Sequence, residues 1–195
     1  TYYWLALEEF DSILAFAPAS LDALREAALS SKFGDAVFRA LSAFGDAAIP
    51  TLISLLLVFP EYSERFRTVQ NMLGQIGAPA IPPLLDLLAT DPKPAVNGLL
   101  SVAAYTSDSD ALNSSIIPAI TQCSEIDMSE IRRIYSLKAL LAPVTIKDVL
   151  APWLTKAVAS RDFSGGKEDI SDLEVIIKLA GWKGYPRSAV DALVL

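Results

Sequence analysis

The sequence predicts an all-α fold, a right-handed α-solenoid of about six helical hairpins and about twelve helices, and three observations predict it. A proline recurs at Pro18, Pro50, Pro82, Pro118, Pro152 and Pro186, in steps of 32, 32, 36, 34 and 34 residues, and each opens an apolar run. Periods of this length mark repeats that are single supersecondary units and bury their apolar faces by stacking on the next. Aligned on these prolines, columns two, three and six are mostly apolar, which is helical spacing. No long stretch alternates apolar and polar residues at period two, so no strand is expected.

Helices are expected at about 2–16, 18–30, 34–44, 48–58, 62–75, 79–89, 93–105, 110–123, 128–141, 147–160, 168–180 and 186–194. They pair into repeats at roughly 1–31, 32–59, 60–90, 91–124, 125–161 and 162–195, with no linker between them, hence one domain over 1–195. The second helix follows Pro18, and a proline early in a helix costs nothing because the first four amides lack an internal acceptor. The fourth is opened by Pro50 and carries the run from Ile53 to Phe59; Phe59-Pro60 then breaks the chain. Pro60 starts the fifth, which Gly77 closes, and Pro82 opens the sixth, which ends at Thr90-Asp-Pro-Lys-Pro94. Between the seventh and eighth lies Thr106-Ser-Asp-Ser-Asp110, where Ser107 or Asp108 can accept from the first free amides of the next helix. Asp127 with Glu130 reads as a capping-box variant ahead of the ninth, with Ser129 a competing cap. Ala142-Pro143 and Ser164-Gly-Gly166 mark later boundaries, and disorder is expected only around Arg161 to Glu168. The expected core of the second-helix row is Leu52, Ile53, Leu56, Leu84, Leu85, Leu88, Ile120, Leu154 and Val158.

Composition supports a packed chain: 52% of residues are hydrophobic and 20% charged, far from a disordered composition. Sixteen Lys plus Arg against 23 Asp plus Glu leave −7, and residues 1–123 hold all of the excess, because 124–195 carry 10 of each sign. Nucleic acid is therefore not an expected partner. Arg132, Arg133 and Lys138 form a basic face with Lys147, Lys156, Arg161 and Lys167 beyond it, but Glu130, Asp148, Asp162 and Glu168 lie among them, which reads as a solvated face.

Cysteine and histidine counts remove further chemistry. Cys123 is the one cysteine and there is no histidine, so disulfides within the chain, Cys/His zinc sites and Ser-His or Cys-His triads are excluded. Cys123 falls among apolar positions and reads as a small buried hydrophobe. Asp22, Asp46, Asp86 and Asp148 are carboxylates whose positions allow a base, yet capping or solvent-facing roles fit them better. No catalytic residue, metal or cofactor is expected. The N-terminus has no basic region and holds Glu8 and Glu9, unlike a signal peptide, and no apolar stretch is long enough to span a bilayer. A soluble protein is expected, with the cytoplasm favoured. The start at Thr1 suggests a piece of a longer protein or a removed leader.

Gly45-Asp-Ala-Ala-Ile-Pro50-Thr-Leu-Ile and Gly77-Ala-Pro-Ala-Ile-Pro82-Pro-Leu-Leu, with the helix and turn from Pro60 to Gly77 ahead of the second, resemble the G-x-x-x-[IV]-P-x-L signature of HEAT repeats. The likeness is to the short bacterial type also found in phycobilisome-lyase-like proteins, and it is strongest over residues 44–90. Around Pro118, Pro152 and Pro186 the glycine motif is missing, so loops and stacking there are expected to differ. The resemblance implies that second helices line a concave face. It also brings two enzymatic alternatives, a phycobilin-lyase-like activity and a DNA-glycosylase-like one that works in a cationic groove, whereas the iron-dependent HEAT-like hydroxylases need histidines this chain lacks.

On that face, columns one, four and eight after the prolines hold Asp22, Glu26, Ser54, Asp86, Thr90, Gln122, Trp153, Lys156, Ser160 and Arg187. The first half is acidic and polar, the last third aromatic and basic, and Trp153 stands out as an interface anchor or as a packing partner of Trp182. The expected function is a non-catalytic scaffold whose concave face binds another protein or peptide carrying basic residues. Tyr2-Tyr3-Trp4-Leu5 and the run Ala189 to Leu195 offer little polar cover for the ends, so a longer solenoid or self-association through terminal repeats is also expected.

Overall fold

The computed structural model describes residues 19–30, 34–61, 63–122, 133–134, 136–142, 145–150 and 153. Among them the fold is all-helical and no strand occurs. The helices are α1 (Ala19–Leu29), α2 (Asp35–Ala43), α3 (Ile49–Val58), α4 (Glu64–Ile76), α5 (Ile81–Leu87), α6 (Pro92–Thr106), α7 (Ser109–Ala111) and α8 (Ile117–Ile120). The helices expected at 2–16, 168–180 and 186–194 lie outside the described residues, as do Leu154, Val158, Cys123 and the caps at Asp127 and Ser129. No helix among the described residues is long and apolar enough to cross a membrane.

Two compact units divide at Thr106 and Ser107. In the first, α4 packs on both α2 and α6 in one row, while α1 packs on α3 in a second. Each helix that follows a proline also packs on the next in sequence: α1 on α2, α3 on α4 and α5 on α6. The core between the rows is built from Leu24, Leu41, Leu52, Leu55, Leu56, Leu73, Leu84, Leu99 and Leu100, all essentially inaccessible to water. Each such leucine contributes about 1.5–3 kcal/mol relative to exposure. Gly98 of α6 lets two of these side chains in: a Cβ there would lie 2.8 Å from Leu84 Cδ2 and 3.6 Å from Leu56 Cδ2.

Local chemistry explains the boundaries. Ser63 accepts a hydrogen bond from the Phe66 amide (3.1 Å) and starts α4. Phe59 is extended at φ −73°, ψ 136° because Pro60 follows it, which ends α3. Arg65 spans the rows, donating from Nη1 to the Ala28 carbonyl near the end of α1 (3.0 Å) and lying 5.8 Å from the centre of the Phe59 ring. That ring meets Phe38 edge-on at 6.4 Å. Gly77 closes α4 at φ 80°, ψ −135°, a region that residues with a Cβ scarcely enter, and it is close-packed, since a Cβ there would lie 2.9 Å from Thr106 Cγ2. Gly45 also has positive φ, 53°.

The expected second-helix core needs correction. Leu52, Leu56, Leu84 and Ile120 are buried, but Ile53, Leu85 and Leu88 are half-buried. α5 stops at Leu87, leaving Leu88 in the turn that follows, and Leu55 of α3 takes a fully buried place instead.

In the second unit Asp108 is the cap: its side chain accepts from the Ala111 amide at 2.9 Å, whereas Ser107 takes a left-handed φ of 51°. A wide turn of π geometry over Leu112–Ile116 joins α7 to α8, with the Ile117 amide bonded to the Leu112 carbonyl five residues back. A second π turn covers Ile146–Leu150. Asn113 ties the first turn to residues 138–142, donating to the Leu140 carbonyl (2.8 Å) and accepting from the Ala142 amide (2.8 Å).

Candidate functional site

The proline-aligned columns sort as helical geometry demands. Column four holds exposed Asp22, half-buried Ser54 and exposed Asp86, and column eight holds exposed Glu26 and Thr90. Column one was expected to face outward as well, yet Thr51 is buried there, because it is one turn ahead of fully buried Leu55 on the core side of α3.

Arg25 changes the charge of this stripe. Its Nη1 lies 2.7 Å from Glu26 Oε1 and its Nε donates to Ser54 Oγ at 3.0 Å, so one guanidinium links α1 to α3 and offsets one of the stripe's carboxylates. Ser54 in turn donates to the Thr51 carbonyl (2.7 Å). The pair with Glu26 is largely exposed and adds little stability, well under about 1 kcal/mol. Its effect is on the field: the end of the stripe at Glu26 is closer to neutral than the acidic residues alone suggest.

Further along, the space beside α3 and α5 forms an open groove of about 660 Å³. Pro50, Ile53, Pro83 and Leu87 supply its apolar lining. Asp46, Asp86 and Thr90 supply its polar groups, and all three are exposed. Asp46 also borders a smaller cavity of about 290 Å³ with Ser42, Met72 and Gln75. Among the described residues neither Asp46 nor Asp86 makes an ion pair. The chemistry on offer is an apolar lining with two carboxylates that make no ion pair, suited to an amphipathic cation.

Asp22, Glu26, Ser54, Asp86 and Thr90 thus all lie in the first unit. Gln122 is exposed in the turn after α8, and Trp153 is helical and half-buried, both in the second unit. Lys156 and Arg187 lie outside the described residues. Asp22, Asp46, Asp86 and Asp148, considered as possible bases, are all exposed. Among the described residues no group of three or more metal-ligating side chains comes together.

Two residues that matter here escaped the column reading. Arg25 stands in column seven, and its position three after Asp22 and one before Glu26 was the available signal. Asp46 follows the motif glycine Gly45, in a turn the helical columns do not reach. Comparison with family models, curated proteins and solved structures finds no match.

Proposed function

We propose that this chain forms a right-handed α-solenoid of about six HEAT-like hairpins and acts as a non-catalytic protein-binding scaffold through the face of its proline-opened helices. The observation that carries the reading is the outward column of the first unit, where Asp22, Glu26, Asp86 and Thr90 stand exposed, the last two lining a largely apolar groove. The row arrangement of α1 to α6 supports the hairpin repeat. So does the recurrence of the π turn 34 residues on, at 112–116 and 146–150. A partner segment with Lys or Arg fits the sign of the face, and such charges chiefly raise the rate of encounter. Capture from a lysate of the source organism tests this with wild type and a Glu26→Lys/Asp86→Lys variant, at about 0.05 M and 0.5 M salt. Proteins held by wild type at low salt and released by the variant or by high salt are the expected result. The same proteins held by both forms at both salt levels would refute it.

A further inference from the structure

We propose that the groove beside α3 and α5 is the docking site for a basic amphipathic helix of a partner protein; this deepens the scaffold reading and rests on it. Three features of the groove select that occupant. Its volume of about 660 Å³ is in the range of ligand clefts, and it is open to solvent. Much of its lining is apolar, with Ile53, Pro83 and Leu87 each still partly exposed and so able to bury further area against a partner's apolar stripe. The lining holds two carboxylates without an ion pair among the described residues, Asp46 ahead of α3 and Asp86 on α5, so the partner's apolar stripe must carry cations beside it.

The backbone decides between helix and extended strand. α3 and α5 make their backbone hydrogen bonds internally, and Pro50 and Pro83 have no N–H to give. The groove therefore presents no edge to which a strand could add. A helix arrives with its own backbone bonds already made and presents only side chains, which is what this surface can receive.

The probe is a fluorescein-labelled synthetic helix of Ala, Leu and Lys, with Leu at i, i+3, i+4 and i+7 and Lys on both flanks, titrated against the full chain by fluorescence anisotropy. Two control peptides replace Lys by Glu or break the helix with a central proline. The expected result is saturable binding of the Lys helix alone, weakening as salt rises. Asp46→Asn/Asp86→Asn should weaken it roughly 3- to 30-fold and Leu87→Ala should weaken it as well, while Asp35→Asn/Glu64→Gln, exposed carboxylates of α2 and α4 outside the binding face, stays within about twofold of wild type. Circular dichroism confirms that each variant keeps its helix content, which the exposure of both groove carboxylates favours. Absence of saturable binding, equal binding of the proline-broken peptide, or wild-type affinity in the Asp46→Asn/Asp86→Asn variant overturns the proposal. Loss of binding confined to Asp22→Asn/Glu26→Gln also overturns the groove while leaving the scaffold reading in place.

Discussion

The two units turn the same proline signal into different backbone. Five residues before Pro50 and Pro82 stand Gly45 and Gly77, both at positive φ, and each leads through a short 3₁₀ turn into a helix that holds the proline in its first turn. Five residues before Pro118 stands Asn113, and five before Pro152 stands Lys147. There the chain makes a π turn instead, in the same phase at both sites, ending two residues before the proline. Both devices answer one problem: a proline cannot donate to the carbonyl four residues back, and its ring collides with it. Glycine lets the chain leave the helix before the proline, whereas without glycine the helical run continues and widens. In the widened turn, Asn113 Nδ2 and Ser114 Oγ donate to the carbonyls of Ser109 and Asp110, four residues back. A corner made by a backbone conformation in the first unit is thus made by side-chain hydrogen bonds in the second.

Breaking each device should leave a different signature. The largest effect is expected where the first unit interlocks: Leu84→Ala removes a side chain wedged against Gly98 and should cost about 2–5 kcal/mol, while half-buried Leu85→Ala should cost clearly less. Urea unfolding of the pair measures the difference, and equal costs would contradict the burial pattern. Gly77→Ala comes next, at about 1–3 kcal/mol, because its φ is 80° and the new Cβ would lie 2.9 Å from Thr106 Cγ2. Asn113→Ala should lose about 1–2 kcal/mol, since the Leu140 carbonyl and Ala142 amide both lose their partner. Asn113→Gly should be no better, although it copies the residue of the first unit's corners; stabilisation by that change would show that the two corners are interchangeable. The smallest effect is a gain: Ser107→Gly relieves a left-handed φ of 51° and should add about 0.5–1 kcal/mol, read as a rise in the thermal midpoint.

Element positions were legible because proline, glycine and helical periodicity act locally. The expected helices at 34–44, 48–58, 62–75 and 93–105 match α2, α3, α4 and α6 to within about two residues at each end. Outward columns four and eight were legible for the same reason. What the chain did not reveal depends on neighbours distant in sequence. Thr51 is buried because of what lies over α3, and Arg25 leaves its own helix to reach Ser54, 29 residues away. Ser63 caps α4 although Pro60 was the visible start signal, and Asp108 rather than Ser107 caps α7, since Asp108 holds the extended conformation of a cap while Ser107 is left-handed. Of the candidate site, the exposed carboxylates were readable in sequence. The groove was not, since it joins Asp46, which belongs to a turn, with Asp86 from the following repeat.

Backbone hydrogen exchange, with and without the basic helical peptide, tests most directly whether the proline-opened helices are the binding face. Added protection is expected around residues 46–54 and 83–90, with α4 and the middle of α6 unchanged. Protection concentrated in α4 and α6, with 46–54 and 83–90 unaffected, would place the binding surface on the opposite row and contradict the account.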